Sequence, residues 1–132
     1  SFSNAPAMRG NTTLSTGIRD YATSSSMVQP SFTFVASSAA QFGYTVAAST
    51  TSDLDPSFQN DGSTCNAGSG YTANRCWMTP STTAYRIINR STSAPSGATT
   101  TLTFHINVPS NPSPALDEDF YTATATLTAT NQ

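Results

Sequence analysis

Alternating apolar and polar residues mark two strands in the C-terminal part of the chain. In residues 101–108 every second residue is apolar, and these residues are Leu102, Phe104, Ile106 and Val108. A second run, residues 120–130, places on one face Tyr121, Ala123, Ala125, Leu127 and Ala129. Because successive side chains of a strand point to opposite faces, each run is predicted to form a strand with one face toward a core.

The first half of the chain carries weaker patterns of the same kind. Residues 31–36 and 42–49 alternate and are separated by a short polar segment, which predicts a β-hairpin. A further strand is predicted at residues 85–89. Residues 50–80 are rich in Asp, Asn, Gly and Ser, and we interpret them as a long excursion. It either contains a short strand or helical turn or forms a functional loop.

The C-terminal residues carry a family resemblance. The segment 120–129, which follows a proline-rich turn, and the segment 99–104 resemble strands of the immunoglobulin-like domains of bacterial extracellular surface proteins. The resemblance implies an all-β fold: an immunoglobulin-like antiparallel β-sandwich with a long disulfide-stapled loop and an irregular N-terminal arm. The predicted strands fall short of the roughly seven that such a sandwich needs.

This shortfall makes the chain similar to the strand-donating subunits of pili and filaments. In those proteins an incomplete sandwich accepts a strand from its neighbour. We predict an arm at residues 1–27, a possible donor strand, and a sandwich domain at residues 28–132. The apolar assembly residues of the arm are Phe2, Met8, Leu14 and Ile18. The function expected is a structural subunit of an extracellular filament, pilus or surface layer that binds copies of itself without covalent links.

Charge restricts the partners. Charged residues make up 9% of the chain, the net charge is −2, and the chain contains no Lys. A basic stripe for phosphate groups is therefore missing, which argues against nucleic acid as a partner. Fibre subunits that polymerise through Lys side chains are excluded as well. No apolar run approaches the roughly 20 residues of a membrane span, so no transmembrane segment is predicted.

The two cysteines, Cys65 and Cys76, are too far apart for a CxxC motif. A disulfide is the main interpretation, with two free buried thiols as the alternative. A disulfide of this loop length would add about 3 kcal/mol of stability and would persist in an oxidising compartment. Together with a chain that opens at Ser1, as it would after removal of a signal peptide, this predicts a secreted protein at the cell surface.

Catalytic groups are scarce, and we predict that the protein is not an enzyme. The single histidine, His105, falls on the polar face of a predicted strand, with no partner nearby in the sequence. Acidic residues 117–119 are adjacent and are expected to form a solvated turn before the last strand. No nucleophile-elbow motif accompanies the histidine.

Two ligand sites are alternatives in the excursion. Asp53, Asp55 and Asp61 offer hard oxygen ligands for calcium, or each carboxylate bonds its own backbone in an Asx turn; no other cofactor is predicted. The aromatic residues Phe58, Tyr71 and Trp77 would form a stacking platform for a glycan, or they pack in the core. A secreted carbohydrate-binding module, with or without a requirement for calcium, is therefore the alternative function.

Two glycosylation sequons begin at Asn11 and Asn89. Both are compatible with a secreted chain, and chance alone would produce such triplets in a sequence so rich in Ser and Thr. Glycosylation at these two asparagines is therefore a prediction for a secreted form of the protein.

Overall fold

The computed structural model describes residues 1–12, 18–22 and 30–130. These residues form five strands: β1 (Met8–Gly10), β2 (Arg19–Asp20), β3 (Gln41–Ala48), β4 (Thr100–Asn107) and β5 (Tyr121–Ala123). The strands make two small sheets, one in the order β2-β3-β4 and one that pairs β1 with β5. The all-β prediction is confirmed at this level.

The antiparallel pair β3 and β4 is the largest element of the fold. Both strands have eight residues, and they are in register along their whole length, with Phe42 opposite Ile106 and Tyr44 opposite Phe104. Apolar side chains that face each other across a sheet stabilise that register. The strands predicted at residues 42–49 and 101–108 are confirmed, each beginning one residue earlier than predicted.

Strand β3 is buried on both faces from Gln41 to Val46. One face packs in the main core, and Gly43 on the other lies against Tyr21 and Phe34. A Cβ at position 43 would stand 2.9 Å from the Tyr21 Cβ, so only glycine fits here. This close contact brings a second layer of aromatic rings onto the sheet.

The hairpin predicted between residues 31–36 and 42–49 is wrong. Ser31 forms a bridge with Trp77 instead: the Ser31 N–H donates to the Trp77 carbonyl at 2.8 Å, and the Trp77 N–H donates back at 2.7 Å. One edge of β3 is taken by β4. The other edge is shared by β2 and by Met78, whose N–H donates to the Tyr44 carbonyl at 2.7 Å. No edge of β3 is left for the predicted partner.

Two further strand predictions need correction. Residues 85–89 form no strand; only Ile88 bridges to Leu54, at the edge of the excursion. The final strand is much shorter than residues 120–130, because β5 pairs with β1 only at Tyr121–Ala123. A bridge between Ala125 and Phe2 continues the pairing briefly. The ladder is short because β1, the partner of β5, has only three residues.

The excursion contains the helical turns that were one of its alternatives. Two 3-10 helices lie at Thr51–Asp53 and Pro56–Phe58. The Asp55 carboxylate accepts the Ser57 N–H at the start of the second one, which is a capping contact. Cys65 and Cys76 form the predicted disulfide, with a Cα–Cα distance of 5.6 Å.

The predicted arm packs onto the same chain. Its two strands pair with the rest of the domain, β1 with β5 and β2 with β3. Phe2, Met8 and Ile18 are buried in the main core, whereas Leu14 lies outside the described residues. Asp20 also fastens the arm, because its carboxylate accepts the Ala7 N–H at 2.7 Å. Burial raises the pKa of Asp20, although the Ala7 hydrogen bond and nearby Arg9 act in the opposite direction.

Among the described residues, the search for a helix of the length and apolar character needed to cross a membrane found none.

The close contact at Gly43 gives a test of the two-layer sheet. Gly43→Ala should lower the free energy of unfolding by about 3 kcal/mol, the upper end for overpacking, because the new methyl meets Tyr21, Phe34 and the Met78 carbonyl. Urea unfolding followed by circular dichroism measures the change. As a control, Gly97→Ala has open space around its Cβ and should cost only the roughly 1–2 kcal/mol of a left-handed backbone. Equal losses in the two variants would contradict the packing of Gly43.

Candidate functional site: an open groove beside strand β4

An apolar groove of about 320 Å³ lies between the two sheets. Its lining comes from β4 on one side, from β5 and the second residue after it on the other, and from the arm and β3. The lining residues are Phe2, Met8, Phe42, Phe104, Ile106, Ala123 and Ala125. We call this the β4/β5 groove. None of the lining residues is charged, so the groove suits an apolar, uncharged occupant.

Three aromatic rings of the groove pack on one another. The Phe42 and Phe104 rings stack with centroids 5.8 Å apart, and the Phe2 ring meets both at an edge, at 5.9 and 6.4 Å. Edge-to-face and offset-stacked rings are the favourable arrangements for aromatic pairs. The groove therefore has one well-packed aromatic wall.

The apolar row of β4 is only half covered. Phe104 is 48% exposed, Ile106 46% and the following Val108 51%, although the alternation predicts that all three face a core. They do share one face, but no further strand covers that face at its outer edge in the described part of the chain. The reason is the small size of the second sheet, since β5 pairs over three residues only.

Two unpaired strand edges border the groove. Among the described residues β4 pairs only with β3, and β5 pairs only with β1. The outer N–H and C=O groups of an edge strand are free to pair with another strand. The β4/β5 groove thus combines apolar side chains with strand edges that no other described strand pairs with, which are the two requirements for adding a strand.

The arm residues contribute to this groove from within the chain. Phe2 and Met8 are part of its lining, and Ile18 lies deeper in the core. Thr12 ties the arm to the turn before β5, because its N–H and hydroxyl both donate to the Asp119 carboxylate, at 2.8 and 3.0 Å. The acidic turn at residues 117–119 therefore holds the arm in place.

The three candidate calcium ligands are each engaged by a different group. Asp53 forms an ion pair with Arg90, and Asp55 forms one with Arg86 at 2.7 Å. The Asp61 carboxylate accepts the N–H groups of Ser63 and Thr64, which is the Asx-turn alternative. Across residues 1–12, 18–22 and 30–130, no group of three acidic, His or Cys side chains is arranged to hold a metal ion.

The predicted sugar platform is not assembled. Phe58 is fully buried and packs on Tyr44 and Tyr85, so no face of its ring is open to a glycan. Trp77 is nearly buried, and its indole N–H donates to the Asn74 carbonyl at 3.1 Å. Only Tyr71 is exposed. The two sequon asparagines, Asn11 and Asn89, are both exposed.

The structure reveals a ring cluster that the sequence analysis missed. The prediction placed His105 alone on a polar face, but its ring lies 4.5 Å from that of Phe34 and 5.2 Å from that of Trp77. Phe34 was expected in a hairpin, and Trp77 in the excursion. The signal that could have found the cluster is the glycine at position 43, whose missing side chain lets Phe34 approach the sheet.

Comparison with protein-family models, with characterised proteins and with solved structures found no match. The case for a function therefore rests on the geometry of this chain.

The Asp55–Arg86 pair gives a pH-dependent test of the excursion. Burial acts to raise the pKa of Asp55, but the hydrogen bonds from Arg86 and Ser57 outweigh it and hold that pKa below its ordinary value of 3.8. A lowered pKa stabilises the fold above pH 3.8, and the contribution is lost as the pH falls through the folded-state value. Asp55→Asn should therefore cost about 1 kcal/mol at pH 7.

Urea unfolding of the wild type and Asp55→Asn at pH 7 and pH 3 measures this difference. The gap between the two proteins should narrow at pH 3. A gap of the same size at both pH values would show that the carboxylate charge contributes nothing, and Glu118→Gln, in an exposed residue, serves as the control.

Proposed function

We propose that this protein is a structural subunit of an extracellular filament, pilus or surface layer, which assembles with copies of itself through the β4/β5 groove. The observation that carries the proposal is the half-exposed apolar row of Phe104, Ile106 and Val108 on an unpaired sheet edge. A strand from a neighbouring copy would cover the row and pair with the edge, by strand donation or by exchange of the arm.

Burial of the exposed row would stabilise an assembly. Full burial of one large apolar side chain is worth about 1.5–3 kcal/mol, so covering the open halves of three such side chains favours association. Long, apolar edge strands are also prone to pair with other chains unless a charge or a proline blocks them. From Thr100 to Val108, β4 and the residue after it carry neither Lys, Arg, Asp, Glu nor Pro.

The occupant we propose is a segment of a second copy. In the arm, Phe2 already packs on Phe42, Tyr44 and Phe104 of its own chain. The same contacts made to a neighbour would preserve the packing, as in domain swapping. Residues 124–130 offer a second candidate strand, because Leu127 is 66% exposed and alternates with Ala125 and Ala129. Both segments match an uncharged groove.

An immunoglobulin-like sandwich is the architecture that such an addition would complete. The two sheets of the single chain are small, and the ring of Phe2 bridges the second sheet to β3 and β4. A donated strand beside β4 would enlarge the sheet at its open edge. The resemblance to strand-donating subunits supports this architecture, and the completed sandwich is part of the proposal.

An extracellular location fits the chemistry of the chain. The Cys65–Cys76 disulfide would persist in an oxidising compartment. The absence of Lys leaves no side-chain amine for isopeptide links, so contacts between subunits would be non-covalent. A surface with few charges also suits close packing of many copies.

The groove can be blocked by a single charge. Ile106→Lys should abolish assembly while leaving the fold intact, because the side chain stays solvated in the monomer but would be buried without a partner under a donated strand. Sedimentation and electron microscopy of concentrated protein measure assembly. Thr101→Lys adds the same charge to the same strand on its opposite face and should assemble like the wild type. A wild-type chain that remains a stable monomer at high concentration would refute the proposal.

Exchange of the arm can be tested with a cross-strand pair of cysteines. Met8 and Ala123 are register partners, so Met8→Cys with Ala123→Cys should form a disulfide wherever the arm is docked. After assembly and oxidation, non-reducing electrophoresis should give a ladder of linked copies if the arm is exchanged. The pair Ala47→Cys with Thr101→Cys, within β3 and β4, should stay within one chain. A single monomer band for Met8→Cys with Ala123→Cys would rule out arm exchange.

A further inference from the structure

A second concave site lies on the opposite face of the sheet from the β4/β5 groove. It is a cleft of about 450 Å³. Residues 103, 105 and 107 of β4 form one wall, the segment with Thr33 and Phe34 forms another, and Asn74, Arg75 and Trp77 close it. We call this the His105 cleft. It shares no lining residue with the β4/β5 groove.

The floor of the His105 cleft is aromatic. The rings of Phe34, Trp77 and His105 contact one another, with centroids 4.5 to 5.5 Å apart. The opposite face of Phe34 stacks on Tyr21 at 4.1 Å, which fixes the orientation of its ring. An apolar floor with a few polar groups around it is the usual design of a site for a small ligand.

Arg75 is the only residue with a full charge in the cleft lining. In the described part of the chain, both ion pairs involve other arginines, Arg86 and Arg90, and no carboxylate is paired with Arg75. Its guanidinium lies over the ring of Phe32, 5.2 Å from the centroid, which orients it without neutralising it. A guanidinium held in this way is suited to bind a carboxylate with two parallel hydrogen bonds.

Asn107 supplies an unused acceptor at the same cleft. Its amide oxygen is buried and has no hydrogen-bond partner among the described residues. Buried polar atoms are nearly always paired. Asn107 lines the cleft, so a ligand hydroxyl that reached this oxygen would supply the missing hydrogen bond.

We infer that the His105 cleft binds an acidic sugar, a hexuronate residue of a polysaccharide. The pyranose ring has an apolar face for the aromatic floor, its carboxylate pairs with Arg75, and a hydroxyl donates to Asn107. A nucleic acid is a poor fit because one arginine cannot match several phosphates. This inference does not depend on assembly through the β4/β5 groove. Of the Phe58, Tyr71 and Trp77 platform predicted from the sequence, the cleft includes only Trp77.

The test compares three probes on the full chain by calorimetry and by amide chemical shifts in NMR spectra. The probes are tri-galacturonic acid, the neutral trisaccharide made by reducing its carboxyl groups, and acetate. The acidic trisaccharide should bind roughly tenfold more tightly than the neutral one, the change that loss of one charge-assisted hydrogen bond gives. The shifted amides should include those of residues 74–77 and 103–107.

Arg75→Gln should remove the preference for the acidic trisaccharide, whereas Arg19→Gln, in an exposed arginine outside the cleft, should keep it. Thermal unfolding checks that both variants are folded. If Arg75→Gln does not fold, the amide shifts of the wild-type protein still test whether the ligand binds in the cleft. Equal affinity for the two trisaccharides, equal shifts with acetate alone, or no binding at millimolar concentration would each overturn the inference.

Discussion

The structure depends on the eight-residue antiparallel pairing of β3 with β4. This pairing places four rows of side chains, two on each face of the sheet, and β2 extends the same sheet at the edge of β3. The arm and β5 cover one face, and Phe34 with Trp77 covers part of the other. Both edges of β3 are occupied, so in the described part of the chain the open edges of the sheet are those of the two-residue β2 and the eight-residue β4.

The sequence predicts best those parts of the fold in which the pattern of residues reflects local geometry. Alternation located β3 and β4 to within a residue, and the spacing of Cys65 and Cys76 indicated their disulfide. The hairpin failed because pairing is a competition for edges, and Met78, far along the chain, occupies the edge that residues 31–36 would need. No local pattern records that competition.

The candidate sites were predicted in part for the same reason. Alternation grouped Phe104, Ile106 and Val108 on one face, but it could not tell that the second sheet is too short to cover them. The aromatic residues of the excursion were predicted to form one platform because they are close in sequence. In the fold, Phe58 enters the core, and Trp77 joins Phe34 and His105 from distant segments. Proximity in sequence is a poor guide within a long irregular segment.

The register of β4 limits how this protein can change during evolution. The even-numbered Phe104 and Ile106 line the β4/β5 groove, whereas the odd-numbered residues 103, 105 and 107 line the His105 cleft. A slip of one residue would exchange the two faces, placing Phe104 and Ile106 toward Arg75 and His105 toward Phe2. An insertion or deletion of one residue within β4 would thus damage both faces at once. Single substitutions, by contrast, can alter one face and leave the other unchanged, so the two surfaces can diverge independently within a strand of fixed length.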